Sequence, residues 1–232
     1  MDIKIIASGS KGNAYYISDG VSSLLLDAGV PIKAIQAKIG FVLSDVSAAL
    51  ISHKHNDHCK AVSDLIRYGV DVYAPQEVFD AKGITSHRAH YLEAMQGIKI
   101  GSFSVMPFDC HHDCVNYGYL IQSAVTGERL LFFTDTYYIN YRFERLDYIM
   151  AECNYADDIV NSNVEKGVMP WQTKPRLIKS HMSIDTFIEM LQANDLSRLK
   201  RIYLLHMSDR NGDEVGFRER VRAVTGAEIY VC

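Results

Sequence analysis

The sequence lacks the features that mark membrane-spanning and secreted proteins. It contains no run of about 18 apolar residues, the length that a spanning helix needs, and no charged-then-apolar leader follows Met1. An excess of basic charge is missing too, since the formal net charge is −4. We therefore expect no membrane partner, and contact with nucleic acid would depend on a local basic patch.

Paired cysteines are also missing. The chain has an odd number of cysteines and no C-x-x-C pair; they are Cys59, Cys110, Cys114, Cys153 and Cys232. Together with the absent leader, this pattern favours reduced thiols and a cytoplasmic location over a disulfide framework. We expect most of these thiols to be small buried apolar groups.

The overall composition is that of an ordinary globular protein. Of the 232 residues, 48% are hydrophobic and 22% are charged, which is enough apolar material for one sizeable core. We expect a single domain over residues 1–232, with two small domains as the alternative. The sequence favours no particular oligomeric state.

The most informative stretch is 52–58, which reads Ser-His-Lys-His-Asn-Asp-His and directly follows an apolar run. Imidazole and carboxylate groups are ligands of zinc and related divalent metals. Alternate residues of an extended loop can turn His53 and His55 toward one point, while Asp57 and His58 stand where a helix should begin and face a second point. The alternative is a polar loop that happens to be rich in histidine. The pattern H-x-H-x-D-H predicts a metal site, and its two directions predict two ions.

Other polar side chains also follow apolar strands. Chemically similar residues recur where predicted strands end, and these are Asp27, His53, His112, Asp135 and His206. Side chains at strand ends present a site on loops that a rigid scaffold holds in place. A carboxylate such as Asp27 is costly to bury unless it is hydrogen-bonded, so we expect it to bond within the wall of the site.

In this order and at these spacings, the residues resemble the metallo-β-lactamase superfamily over nearly the whole chain. The resemblance implies an α/β (α+β) fold, the four-layer αββα sandwich. It also implies two divalent ions, Zn or Mn with Fe as a further option. One ion would be held by His53, His55 and His112. The second would be held by Asp57, His58 and His206, and Asp135 would bridge the two.

His111 is the alternative to His112 as a ligand. We prefer His112 because the pattern Pro-Phe-x-x-x-His-Asp, which starts at Pro107, resembles the family's motif. This choice leaves His111 as a neighbour of the site.

The C-terminal part resembles the nuclease and phosphodiesterase branch of the superfamily, as in tRNase Z. In that branch a histidine before a helix precedes the last metal ligand, as His181 precedes His206 here. Glu152, in Ala-Glu-Cys-Asn, resembles the glutamate that pairs with that histidine. The opening Gly-Ser-x-Gly-Asn, residues 9–13, and the chain length resemble the bacterial YycJ/WalJ-like group, regarded as DNA 5′-exonucleases. Ser180 and Tyr137 depart from that group's pattern, which has glycine at both positions.

These residues lead to a hypothesis of phosphodiester hydrolysis. A hydroxide that bridges two metal ions would attack phosphorus, with Asp57 among the catalytic ligands. Glu152 would favour the charged form of His181, which would then stabilise or protonate the leaving oxygen. The predicted function is a DNA 5′–3′ exonuclease. The alternative is a small-molecule hydrolase for a cyclic phosphodiester, a lactone or a thioester, which the net negative charge and the lack of a separate nucleic-acid-binding domain favour.

The substrate is expected along the segment 161–179, which reads as irregular and basic. Lysines and arginines would contact phosphates, and the indole would stack on a base; the candidates are Trp171, Lys174 and Arg176. DNA is favoured over RNA, and a solvated loop is the alternative. Two further stretches have two readings each. The turn 8–13 is a tight connection or a neighbour of the site, and the aromatic residues of 137–143 line a channel or belong to the core.

Overall fold

The computed structural model describes residues Met1–Cys232 and divides them into two compact units. The first unit comprises Met1–Asp109 and Cys114–Glu128, and the second comprises Cys110–Asp113 and Arg129–Cys232. A single domain over the whole chain stays a prediction. None of the helices combines the length and the apolar character that crossing a membrane would require.

Strands and helices alternate along the chain. Up to Ser123 the strands are β1 (Asp2–Ala7), β2 (Ala14–Ser18), β3 (Ser23–Ala28), β4 (Ala48–Leu50), β5 (Val72–Ala74), β6 (Ala89–Tyr91), β7 (Ile98–Ile100), β8 (Phe103–Cys110) and β9 (Asn116–Ser123). The helices of this part are α1 (Ile32–Lys38), α2 (Asn56–Cys59), α3 (Val62–Arg67) and α4 (Gln76–Lys82), with a 3₁₀ turn at Leu43–Asp45. From Arg129 onward follow β10 (Arg129–Phe133), β11 (Tyr148–Glu152), α5 (Asp157–Glu165), a 3₁₀ turn (Trp171–Thr173), α6 (Lys174–Ser180), α7 (Ile184–Gln192), β12 (Arg201–Leu205), α8 (Glu214–Thr225) and β13 (Glu228–Val231).

The first unit contains a six-stranded sheet in the order β1 to β6. The first three strands are antiparallel, and β3 to β6 are parallel. Parallel neighbours need a crossover connection, which the helices between these strands provide. The apolar sides of these helices pack on the sheet, so that Leu25, Ile51, Leu65 and Phe79 are fully buried. The same unit also carries the antiparallel pair β7 and β8.

The second unit contains four parallel strands in the order β13-β12-β11-β10. Three of them, β10, β11 and β12, contain a run of buried apolar residues, as in Leu130–Phe133, whereas β13 buries only Ile229. Strands that are covered on both faces need such runs instead of an alternating pattern. Because parallel strands share a direction, their carboxyl ends meet at one edge, where β10, β11 and β12 end close to Asp135, Glu152 and His206.

The segment 161–179 is more regular than the sequence predicts. It was expected to be irregular, but α5 and α6 occupy most of it. Gly167, with a φ of 69°, and Pro170 lie between the two helices and separate them. Each helix is too short to show a clear apolar period, which explains why the pattern was missed.

The helix expected after the histidine cluster is split in two. The backbone N–H of Ala61 donates to the carbonyl of Ala28 at 2.8 Å, so it leaves the helical ladder between α2 and α3. The short strand β6 was not predicted either, because three residues give no measurable alternation.

Gly29 permits a close approach between the turn after β3 and the start of α2. A Cβ atom there would lie 1.5 Å from the carbonyl oxygen of Asp57. The same carbonyl accepts the backbone N–H of Asn13 at 2.7 Å, and the N–H of Gly29 donates to the carbonyl of Asn13 at 2.7 Å. The helix that carries Asp57 and His58 is therefore held against two other backbone segments.

We predict that Gly29→Ala destabilises the protein by about 3 kcal/mol or more, because backbone must move to make room for the methyl group. Urea or guanidinium denaturation followed by circular dichroism measures this change. Gly97→Ala is the matched control, since its Cβ would meet the flexible end of Met106 at 3.2 Å and backbone only at an ordinary contact distance of 3.9 Å. Equal stability of the two variants would contradict the proposed packing role of Gly29.

Candidate metal centre

Three of the predicted site residues have a strained backbone. Asp27, Asp135 and His206 have φ values of 56°, 50° and 51°, in the left-handed region that costs a residue with a Cβ atom about 1–2 kcal/mol. They stand at the carboxyl ends of β3, β10 and β12. Such strain persists where surrounding contacts enforce it, and it is concentrated at functional sites. The strain therefore marks three of the five strand ends that the sequence singled out.

In the first unit, the histidines of the cluster face one another. Nε2 of His53 lies 3.1 Å from Nδ1 of His55, and the ring centroids of His53 and His58 are 4.2 Å apart. Two nitrogens bound to one tetrahedral zinc ion, each at 2.0–2.1 Å, lie roughly 3.3 Å apart. The separation of the first two rings therefore fits ligands of a single ion.

Asp27 orients the imidazole ring of His58 through a hydrogen bond. It is fully buried, and its Oδ2 atom accepts a hydrogen bond from Nδ1 of His58 at 2.7 Å. Its Oδ1 atom accepts the backbone N–H and the hydroxyl of Ser52 at 2.8 and 2.9 Å. These bonds favour a proton on Nδ1 of His58 and leave a lone pair on Nε2, the form in which imidazole binds a metal. The carboxylate is thus used inside the wall of the site, where the sequence analysis expected it.

The turn 8–13 adds Asn13, a site residue that the sequence analysis did not single out. Its Nδ2 atom lies 3.1 Å from Nε2 of His58, and its Oδ1 atom accepts the N–H of Gly9 at 2.9 Å and the hydroxyl of Tyr15 at 3.0 Å. Of the two readings of this turn, the structure supports a role beside the histidine cluster. An asparagine next to two glycines was the available signal.

In the second unit, Asp135 lies between two histidines. Its Oδ2 atom is 3.9 Å from Nε2 of His112, and its Oδ1 atom is 3.2 Å from Nδ1 of His206. His111 instead receives a hydrogen bond from Asn140, at 2.7 Å on its Nε2 atom. The structure thus places His112, the preferred candidate, beside Asp135.

A larger donor group surrounds this aspartate. One ligand atom each from Asp135, Glu152, His181 and His206 lies within 4.8 Å of the other three. Carboxylate oxygens and imidazole nitrogens at this density suit a divalent ion such as zinc or manganese. Of these four residues, Asp135 and His206 are the predicted ligands, and their carboxylate and imidazole donors fit the metal binding that the sequence predicts.

Glu152 and His181 are in direct contact. Oε1 of the fully buried Glu152 is 2.6 Å from Nδ1 of His181 and 3.1 Å from Nδ1 of His206. Oε2 accepts the backbone N–H of Thr136 at 2.9 Å. Burial raises the pKa of the Glu152 carboxyl, but the charge of His181 and the hydrogen bonds from both histidines outweigh burial and hold that pKa below its usual range. The group is a carboxylate at neutral pH.

Asn154 is a second residue that sequence reasoning missed. Its side-chain Nδ2 atom donates to the carbonyl of His206 at 2.6 Å, and its backbone N–H donates to the carbonyl of Met182 at 2.9 Å. It therefore ties the strained turn at His206 to the residue that follows His181. Its position two residues after Glu152 was the available signal.

The three predicted substrate-binding residues lie at the start of α6 and the turn before it. Trp171 is 68% exposed, and the ammonium group of Lys174 contacts the side chain of Asn161. Helix α6 carries Arg176, which is exposed, and ends at Ser180, next to His181. These side chains are thus on the element that leads into the Glu152–His181 pair.

Comparison with known proteins decides the family. The profile of the family described as "Beta-lactamase superfamily domain" matches residues 23–207, a range that includes every predicted metal ligand. The chain belongs to the β-lactamase superfamily.

The relatives and neighbours of the chain agree with this assignment. An exodeoxyribonuclease WalJ of Streptococcus pneumoniae is 30% identical, over 98% of this chain and 89% of the relative. The metallo-β-lactamase fold protein YhfI of Bacillus subtilis superposes with a TM-score of 0.76 at 17% identity, over 99% and 95% of the two chains. Human tRNase Z, short form, gives a TM-score of 0.67 at 13% identity, over 100% and 96%.

These comparisons confirm three predictions. The fold is the mixed α/β fold of the metallo-β-lactamase superfamily, as the likenesses to solved structures show. The resemblance to the YycJ/WalJ-like group is confirmed by the WalJ relative. The protein is an enzyme of the metal-dependent hydrolase class.

We predict that Asp27→Asn lowers metal affinity by about 10- to 100-fold, because the amide is a weaker acceptor for Nδ1 of His58. Asparagine also tolerates the left-handed backbone, so the fold should survive. Competition with a chelating dye measures the affinity. Asp19→Asn, at a carboxylate that bonds to Ser102 and Ser123 instead, is the control. Unchanged affinity in Asp27→Asn would remove this carboxylate from the metal centre.

Proposed function

We propose that the protein is a two-metal phosphodiesterase that degrades DNA from the 5′ end. The observation that carries this proposal is the contact between the buried carboxylate of Glu152 and the partly exposed imidazole of His181, 2.6 Å apart. A hydrolase that needs only a metal-activated water does not require a further imidazole outside its metal ligands. A phosphodiesterase does need a cation or an acid at the leaving oxygen, and a histidine bound to a carboxylate can provide it. The exodeoxyribonuclease name of the WalJ relative supports the choice of DNA.

The proposed ligands are those that the sequence predicts. His53, His55 and His112 would hold one ion, and Asp57, His58 and His206 the other, with Asp135 shared. In support, each unit contains imidazole and carboxylate donors oriented by buried hydrogen bonds. When bound, two divalent ions would lower the pKa of water toward neutrality and neutralise charge on the phosphodiester. Histidine and carboxylate donors accept zinc or manganese, and iron is a further option.

The residues of the chain would supply the other half of the reaction. Glu152 keeps the proton on Nδ1 of His181 and stabilises the imidazolium form. His181, whose side chain is 21% exposed, would then donate from Nε2 to the oxygen that leaves phosphorus. Asp57 would contribute as a ligand at the same centre.

The DNA strand would run along the start of α6. We propose that Lys174 and Arg176 contact phosphates and that Trp171 stacks on a base, with DNA favoured over RNA. Two observations support these proposed contacts with DNA: Trp171 and Arg176 are exposed, and α6 lies directly before His181. The cytoplasmic location stays a prediction from cysteine usage.

A small-molecule hydrolase is the second candidate. The net charge of −4 favours it, since a strongly basic surface is the usual electrostatic signature of a DNA-binding protein. A cyclic phosphodiester, a lactone or a thioester would be its substrate.

We predict that His181→Ala lowers kcat on a phosphodiester by about 10²- to 10⁴-fold, the usual contribution of general acid catalysis. Metal content should stay that of the wild type, because Glu152 and not a metal is the partner of Nδ1. Steady-state kinetics and elemental analysis of the same preparations measure the two quantities. His87→Ala, at an exposed histidine, is the matched control. Loss of metal from His181→Ala would identify the residue as a ligand and overturn its proposed role.

The proposed function is tested with a 5′-phosphorylated, end-labelled DNA duplex and metal-free protein supplied with Mn or Zn. We expect stepwise loss of nucleotides from the 5′ end, and none with Asp57→Ala. Parallel assays offer a cyclic phosphodiester, a lactone and a thioester. Intact DNA alongside turnover of one of these small substrates would reject the nuclease in favour of the second candidate.

A further inference from the structure

Tyr137 is an exposed aromatic residue two positions after Asp135. It is 42% exposed, and its ring stacks on the imidazole of His111, with 5.1 Å between centroids and 27° between planes. Of the aromatic residues in 137–143, Phe143 is buried and belongs to the core. His111 thus stacks on one side of the Tyr137 ring, while much of the residue stays exposed.

The support beneath Tyr137 is fixed by hydrogen bonds. Nε2 of His111 accepts a bond from Asn140 at 2.7 Å, and the backbone N–H of His111 donates to the hydroxyl of Thr136 at 2.9 Å. That hydroxyl donates in turn to the carbonyl of Tyr138 at 2.8 Å. The residues on both sides of Tyr137, and the ring on which it rests, are thus held in place.

The same segment is anchored to the proposed catalytic pair. The backbone N–H of Thr136 donates to Oε2 of Glu152, a buried bond of 2.9 Å. The other oxygen of this carboxylate binds His181 and His206. Thr136, the residue directly before Tyr137, is therefore bonded to the same carboxylate that binds those two histidines.

The neighbouring tyrosine has a different environment. Tyr138 is 47% exposed and forms part of the wall of a cavity of about 110 Å³, which Asn140, Arg142, Glu189 and Asn194 also line. Tyr137 is not among the lining residues. The cavity accounts for Tyr138 and leaves the exposed, stacked ring of Tyr137 without a partner on its outer face.

We propose that Tyr137 is a stacking platform for a nucleobase of the substrate, next to the phosphodiester that is cleaved. The proposal rests on the proposed function and adds a specificity-determining residue to it. Every base has a π-face, so stacking on an aromatic ring is tolerant of sequence. A ring already fixed by His111 loses little conformational freedom when a base binds. The site therefore selects nucleotides over phosphodiesters that lack a base.

The test compares binding of two fluorescent, 5′-phosphorylated single strands to the metal-loaded protein. Both strands carry phosphorothioate linkages to resist cleavage, and one of them lacks the bases of its first nucleotides. Wild type and Tyr137→Phe should bind the strand with bases about 5- to 100-fold more tightly than the abasic strand. Tyr137→Leu should lose this preference. Tyr230→Leu is the matched control, since Tyr230 is 38% exposed and also stacks on a ring, that of Tyr203.

The ratio of the two binding affinities separates stacking from a structural role, because misfolding would weaken the binding of both strands alike. A Tyr137→Leu protein that keeps the preference overturns the proposal. Equal binding of both strands by the wild type also overturns it and leaves the nuclease proposal standing. A wild type that binds neither strand would reject nucleic acid as the substrate, and the platform with it.

Discussion

The structure of the site depends on two buried carboxylates that must be hydrogen-bonded. A carboxylate without partners would cost several kcal/mol inside a protein. Asp27 meets this requirement through Ser52 and His58, and Glu152 meets it through Thr136, His181 and His206. In each unit, the need to satisfy a buried charge thus fixes the orientation of the imidazole rings.

This arrangement also explains the strained backbone. The left-handed residues Asp135 and His206 directly follow the ends of β10 and β12, and Asp27 stands at a register shift one residue before the end of β3. Nearby bonds enforce the turns, such as that from Asn154 to the carbonyl of His206. The strained residues are polar and the strands before them are apolar, so the sheets supply rigidity while their ends supply chemistry.

Much of this could be predicted from the sequence, because ligand chemistry and strand pattern are local properties. The histidine cluster and the polar strand ends had signals in residue type and spacing, and the pairing of Glu152 with His181 was implied by the resemblance to the nuclease branch. Asn13 and Asn154 were missed because a lone asparagine is more often part of a turn, and only the fold shows which carbonyl or ring it reaches. The helices α5 and α6 were missed because a glycine and a proline interrupt a short apolar period.

The exposure of Tyr137 shows the same limit. Its neighbour Phe143 is buried, and the two residues look alike in sequence. What separates them is the contact between Tyr137 and His111, two residues that are far apart along the chain. A non-local contact of this kind leaves no local pattern to read.

The central claim is that the oriented histidines of both units bind metal. The measurement that tests it most directly is the ratio of metal to protein, by elemental mass spectrometry, for the wild type, His53→Ala and His206→Ala. The account predicts two ions per wild-type chain and a loss of at least one ion in each variant. A full complement of metal in either variant, or a wild type that binds none, would contradict it.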